Sequence, residues 1–141
     1  MAVATRELAA KVVIDGTAEG RILRLAEPIS FWGGIDPQSG IVIDVRHPDR
    51  GRSISGRVLC LPGMIGSSSA SAVMLELLRA GLAPAALVLG ETDAILALGV
   101  VVGREMGYPA IPVLELALAE QEKLPQDAFV HIKQGGVIQI A

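Results

Sequence analysis

Aromatic side chains are almost missing from this chain: two Phe, one Tyr and one Trp in 141 residues. With 51% of the residues apolar, the core has to be built from Val, Ile, Leu and Ala. That composition suits parallel strands covered by helices. Cysteine is scarcer still. Cys60 stands alone, which excludes an internal disulfide and a thiolate set for an iron–sulfur cluster, and makes a reducing cytoplasm the expected setting. Its neighbours in "RVLCLP" mark it as a small buried apolar residue. The two histidines, His47 and His131, are widely separated in sequence, and with a single Cys they do not make up a metal site.

Excess positive charge is also lacking. The formal net charge of −3 leaves no basic field for nucleic acid or an anionic membrane. The most apolar stretch, residues 82–102, is broken by Gly90, Glu91, Thr92 and Asp93, so it does not read as a membrane span. "MAVATRELAA" at the start lacks the apolar core of a secretory signal. No repeat, low-complexity tract or linker is evident, and residues 1–141 are expected to form one domain.

What is present is a rhythm of short apolar runs. "KVVIDG" and "GRILRLA" alternate as two strands joined near residues 16–20. Residues 28–40, "PISFWGGIDPQSG", read as a loop, with Asp-Pro and Ser-Gly turn signals. "IVIDV" reads as a short buried strand. "RHPDRGRSISG" reads as a solvated, charged connection, contact of Arg46 or His47 with a partner being the other reading. From "RVLCLP" onward strand and helix alternate. A helix over 67–80 is closed by Gly81 in the left-handed position, "AALVLG" is a strand, and a second helix covers 93–106. Gly99 and Gly103 bare one face of that helix. "AIPVLE" is a strand, "LALAEQEK" a turn or two of helix, and "AFVHIKQGGVIQIA" a hairpin about Gly135 and Gly136. Antiparallel-looking strands thus flank a βαβαβ middle, which predicts an α/β domain of mixed strands.

The chemistry concentrates in "PGMIGSSSASAV", residues 62–73, where Ser67, Ser68, Ser69 and Ser71 stand at a strand-to-helix junction. Backbone N–H groups and the helix dipole converge there on a bound anion or a developing oxyanion. Gly63 and Gly66 open the backbone to a ligand. A hydroxyl at that point either holds a carboxylate or, as an alkoxide stabilised by N–H groups, takes a proton. The plain alternative is that serines cap the helix and pack a crowded turn. One cap needs one serine, however, and no basic residue lies between Arg57 and Arg79. That disfavours phosphate, which usually recruits Arg or Lys, and is compatible with a carboxylate or a zwitterion. Gly-x-Ser-x-Gly and Gly-Lys-Ser/Thr arrangements are both missing, against a serine hydrolase and a P-loop.

Three blocks, residues 31–40, 47–56 and 63–71, carry a resemblance to the swivelling domain of aconitase X, the small subunit in the two-chain members of that family. The resemblance covers roughly residues 10–115. It implies a swivelling β/β/α fold, mixed strands in two layers with helices on one side. It also implies a hydro-lyase that works at a cleft against a large iron–sulfur subunit, inactive without it, the cluster acting as Lewis acid on the leaving hydroxyl. Ser67 is then the base that removes the proton beside the carboxylate, and Gly66, Ser68 and Ser69 hold substrate. Gly33, Gly34 and Asp36 in "FWGGIDPQSG" resemble a loop facing the cleft; plain turn building is the alternative. Ordinary aconitases follow their serine pair with an arginine that grips a carboxylate, whereas position 69 is Ser here, which argues against a tricarboxylate.

Two substrates belong to the family, cis-3-hydroxy-L-proline and, in archaeal members, mevalonate 5-phosphate. The archaeal small subunits carry basic residues before the serine motif; Gly63, Met64 and Ile65 stand there in this chain, which favours the amino acid. The resemblance assigns this chain no metal or cofactor of its own. A non-catalytic ligand-binding or partner-binding swivel module is the reading from another class. A phosphohistidine carrier would need a histidine inside the turn, and there is none.

Overall fold

The computed structural model describes residues 6–63 and 65–141. The reading of "MAVATRELAA" as no secretory signal falls partly outside these residues, as does Met64. Eight strands run in the order β1-β8-β7-β3-β4-β5-β6-β2. They are β1 (Arg6–Ala9), β2 (Lys11–Ile14), β3 (Ala18–Arg24), β4 (Val58–Leu61), β5 (Ala86–Leu89), β6 (Val113–Glu115), β7 (Phe129–Lys133) and β8 (Val137–Ile140). The helices are a single irregular turn α1 (Phe31–Gly34), then α2 (Ala70–Ala80), α3 (Ala94–Glu105) and a short α4 (Leu118–Gln121). Strands β3, β4, β5 and β6 are parallel neighbours, and every other pairing is antiparallel.

The strands at the two ends of that order, β1 and β2, are separated only by Ala10. The sheet therefore has to roll until its edges meet there, and the β1–β8 ladder runs on by one bond, the Ala10 N–H donating to the Gly136 carbonyl at 2.9 Å. Side-chain alternation explains the layers. Ile22, Val58, Cys60, Ala86, Val88 and Leu114 point into the roll, against Val130, Ile132 and Ile138. Leu23, Leu59, Leu61, Leu87, Leu89 and Val113 point the other way, beneath Val73, Met74 and Leu77 of α2 and Leu96 and Val100 of α3. Strands β4 and β5 are buried at every position, as strands covered on both faces must be. The result is a mixed α/β fold of two strand layers with helices on one side.

The alternating middle and the terminal hairpin stand as expected, and α2 ends on Gly81 at φ 73°. Four readings change. Helix α2 begins at Ala70 rather than at 67, because residues 67–69 close a turn ahead of it. "IVIDV" is not a regular strand: only the isolated bridges Ile35 to Val42 and Ile41 to Ser53 form, and Ile43 and Val45 are exposed. The two N-terminal runs do not pair with each other; β2 goes to β6 while β3 goes to β4 and β7. Strand β1 carries no apolar alternation and had no sequence signal. No helix among the described residues is long and apolar enough to cross a membrane.

Candidate active site: the serine turn

Strand β4 delivers the chain to the carboxyl end of the parallel strands, where ligands of open α/β sheets gather. The amide of Gln121, itself buried, donates to the Leu61 and Leu116 carbonyls at 3.0 Å each and fixes the end of that strand. The segment that follows is tied to the 28–34 turn, with the Ile65 N–H donating to the Ile29 carbonyl at 3.1 Å.

Within the turn, the Ser69 N–H donates to Ser67 Oγ at 3.2 Å, and the Ala70 N–H to the Ser67 carbonyl at 3.1 Å. Ser67 and Ser69 are half-buried, whereas Gly66 and Ser68 are exposed. The N–H groups of Gly66, Ser67 and Ser68 find no acceptor among the described residues. A methyl at Gly66 would touch nothing within 4 Å. Ser69 occupies the position preceding α2 yet makes no side-chain cap bond. Helix α3 is capped in the ordinary way, Asp93 Oδ1 accepting from the Leu96 N–H at 2.9 Å. Ser69 therefore does not cap α2, and the Ser67 oxygen takes the Ser69 N–H two residues on, the local bond of a turn or capping serine.

Gly33 and Gly34 form the neighbouring turn. Gly33 has φ 80° with open space where a side chain would be, and Gly34 packs against Ile29. Asp36 is committed to its own loop. Its carboxylate accepts from the Gln38 N–H at 3.0 Å and the Ser39 hydroxyl at 2.8 Å, and those bonds hold its pKa below the ordinary value. Trp32 and Ile65, on the two linked turns, are large and exposed, as is Ile43, whose N–H donates to the Gly34 carbonyl at 2.8 Å.

The charged connection is mostly exposed as expected, with His47 and Ile54 turned inward. The His47 side chain is buried, with Nε2 donating to the Glu27 carbonyl at 2.9 Å and Nδ1 accepting from the Asp49 N–H at 3.0 Å. Those two bonds give the Glu27 carbonyl and the Asp49 N–H their partners. His131 lies on β7, 3.1 Å from Glu19 on β3 and edge-on to Phe129. Cys60 is fully buried, and burial pushes its thiol up to about 12. Arg24, which no sequence motif singled out, lines a depression near the end of β4.

A rolled β/β/α frame with a small-residue turn at the carboxyl ends of its parallel strands is the arrangement expected of a swivelling domain, and comparison with known proteins supplies the family. This chain belongs to the aconitase X swivel domain family, which it matches over residues 7–140. It is 46% identical over 103 residues to a cis-3-hydroxy-L-proline dehydratase of Pseudomonas aeruginosa, covering 73% of this chain and 18% of that protein. It is 37% identical over 134 residues to a phosphomevalonate dehydratase small subunit of Methanosarcina acetivorans, covering 95% of this chain and 84% of the relative. Among solved structures it resembles an aconitase X crystal structure from Thermococcus kodakaraensis, with TM-score 0.85 and 31% identity over 96% of this chain and 98% of that one. The chain thus spans about a fifth of the length of the hydroxyproline dehydratases it matches.

Proposed function

We propose that this chain is the small subunit of an aconitase-X-type hydro-lyase and supplies Ser67 as the base. One observation carries the reading: the Ser67 hydroxyl stands half-exposed on an uncharged turn, with the Ser69 N–H bonded to its oxygen. Donors aimed at an oxygen stabilise its alkoxide, the form that takes a proton from carbon. The bound hydroxy acid would lie over Gly66, held by the Ser68 and Ser69 hydroxyls and N–H groups. Gly33 and Gly34 would close the neighbouring wall, and Asp36 would act by holding that loop in shape. As the alkoxide, Ser67 Oγ takes the proton beside the carboxylate, the C–H electron pair becomes the new C=C bond, and the hydroxyl on the next carbon leaves with its bonding pair as hydroxide, so that H⁺ and OH⁻ together make up the water lost.

An iron–sulfur cluster does not fit this chain's own residues. The single thiol is sealed inside the sheet and held protonated, and no group of three metal-binding side chains occurs among the described residues. A cluster of the family's kind therefore belongs to a large partner chain, and the exposed Trp32 and Ile65 beside the turn have the character of an interface core.

For substrate, the absence of basic side chains from 58–78 favours cis-3-hydroxy-L-proline. The second reading is mevalonate 5-phosphate, favoured by the match over 84% of a stand-alone phosphomevalonate dehydratase small subunit. The test is a complex reconstituted from this chain and its large partner and assayed on both compounds. Ser67→Ala is expected to lower kcat by about 10²–10⁴-fold while assembly survives, and the isolated chain is expected to be inactive. Near-normal turnover by Ser67→Ala would reduce Ser67 to a turn residue and leave a binding module.

A further inference from the structure

Arg24 ends β3, in register with Cys60 of β4 and in phase with Ile22. Ile22 and Cys60 both point into the roll, so the Arg24 side chain enters the same layer at its rim. There it lines a depression of about 310 Å³ together with Leu25, Ala26, Pro62, Leu118 and Glu122. The Arg24 backbone is satisfied on both sides by the Gln126 amide, at 2.6 and 3.1 Å. Its side chain is not: Nε is buried and has no hydrogen-bond partner among the described residues. A buried donor without an acceptor costs about 1–3 kcal/mol, more for a charged group, so a guanidinium that turns toward an acceptor in the depression recovers that cost.

We infer that this depression is a carboxylate site in which Arg24 is the recognition group. Guanidinium matches a planar carboxylate through two parallel N–H bonds. A dianion such as phosphate fits less well, because Glu122 shares the depression and no second basic side chain lines it. Pro62 connects the depression to the segment that carries Ser67, so the carboxylate comes from one of two sources. One is the hydroxy acid itself; the other is an acidic side chain of the large partner.

The first measurement uses the full chain alone and does not depend on the proposed activity. The arginine Nε–H resonances are followed while acetate is added, with chloride at equal ionic strength as control. The signal assigned to Arg24 by its loss in Arg24→Lys is expected to shift saturably with acetate only. No saturable shift, or the same shift at every arginine, would overturn the site. A shift that appears only in Glu122→Gln would show Arg24 already satisfied within the chain and would overturn it too. The second measurement rests on the proposed function and uses the reconstituted complex. If substrate supplies the carboxylate, Arg24→Gln raises KM about 10-fold or more with assembly unchanged; if the partner does, the affinity for the large chain falls about 10-fold or more with KM unchanged. Partial rescue by Arg24→Lys supports either source. Neither change, or loss of both together with a lowered melting temperature, would overturn the inference.

Discussion

Cys60 and Ser67 lie on one connection, and their surroundings separate a silent group from a usable one. Cys60 is enclosed by the inner layer, and burial raises its thiol from 9.0 to about 12, against a smaller opposing effect of the Arg24 charge. The unfolded chain gives up this proton near 9, whereas the native state keeps it. Below 9 the two states bind equal protons and the thiol has no pH effect. Between 9 and 12 the unfolded state binds fewer, so the stability tied to the protonated thiol is lost as pH rises, at about 1.4 kcal/mol per unit. Urea unfolding of the native protein and of Cys60→Ala between about pH 8 and about pH 11 reads this directly. The stability difference between the two should stay flat up to about pH 9 and then shift against the native protein. A constant difference across that range would place the thiol in contact with water. Ser67 shows the opposite condition, half-exposed on its turn, as its proposed role requires.

Among the elements, the α2–α3 pair turns sequence into packing most plainly. A methyl at Gly99 would lie 2.8 Å from the Ser71 carbonyl oxygen and 3.1 Å from Met74 Cβ, both close to the α2 backbone. At Gly103 the nearest atom is the tip of Leu78, 2.9 Å away, which can swing aside. Alanine gains up to about 1 kcal/mol of helix propensity at either site, while overpacking against backbone costs about 1–3 kcal/mol. Gly99→Ala should therefore destabilise by about 1–2 kcal/mol, and Gly103→Ala should be neutral or slightly stabilising, by chemical denaturation. Equal effects would contradict the close approach at Gly99. The glycines, the closing Gly81 and the continuous apolar strands made this middle legible in sequence, because each is a local signal. The run "IVIDV" misled for the same reason. Its composition is that of a strand, but long-range pairing decides, and it meets only isolated bridges. The serine junction was legible as a place, since strand and helix signals flank it. That Ser69 leaves α2 uncapped was not, because any of the serines satisfies the same local rule. Arg24 was hidden among the apolar residues of its strand, and only the roll puts its side chain at a rim.

At the scale of the molecule, the closure of the sheet depends on a seam no local pattern announces. Strands β1 and β2 part at Ala10, and Gly136 of the β7–β8 turn lies directly against the Ala10 backbone. Gly135 and Gly136 both have left-handed φ, 85° and 82°, so alanine at either costs about 1–2 kcal/mol in backbone strain alone. The two differ in space. A side chain at Gly135 meets nothing within 4 Å, whereas at Gly136 it would collide with the Ala10 carbonyl and press on Val12. Gly136→Ala should therefore cost about 1–3 kcal/mol beyond Gly135→Ala, measured as the difference in urea unfolding free energy. Hydrogen exchange supplies the local reading. The Ala10 amide, bonded to the Gly136 carbonyl, should lose protection in Gly136→Ala and keep it in Gly135→Ala, while the buried amides of β4 and β5 hold theirs in both. If the two substitutions cost the same and leave Ala10 protected alike, Gly136 is not what holds the end of the β1–β8 ladder against Ala10, and the rest of that ladder is enough to keep the roll closed.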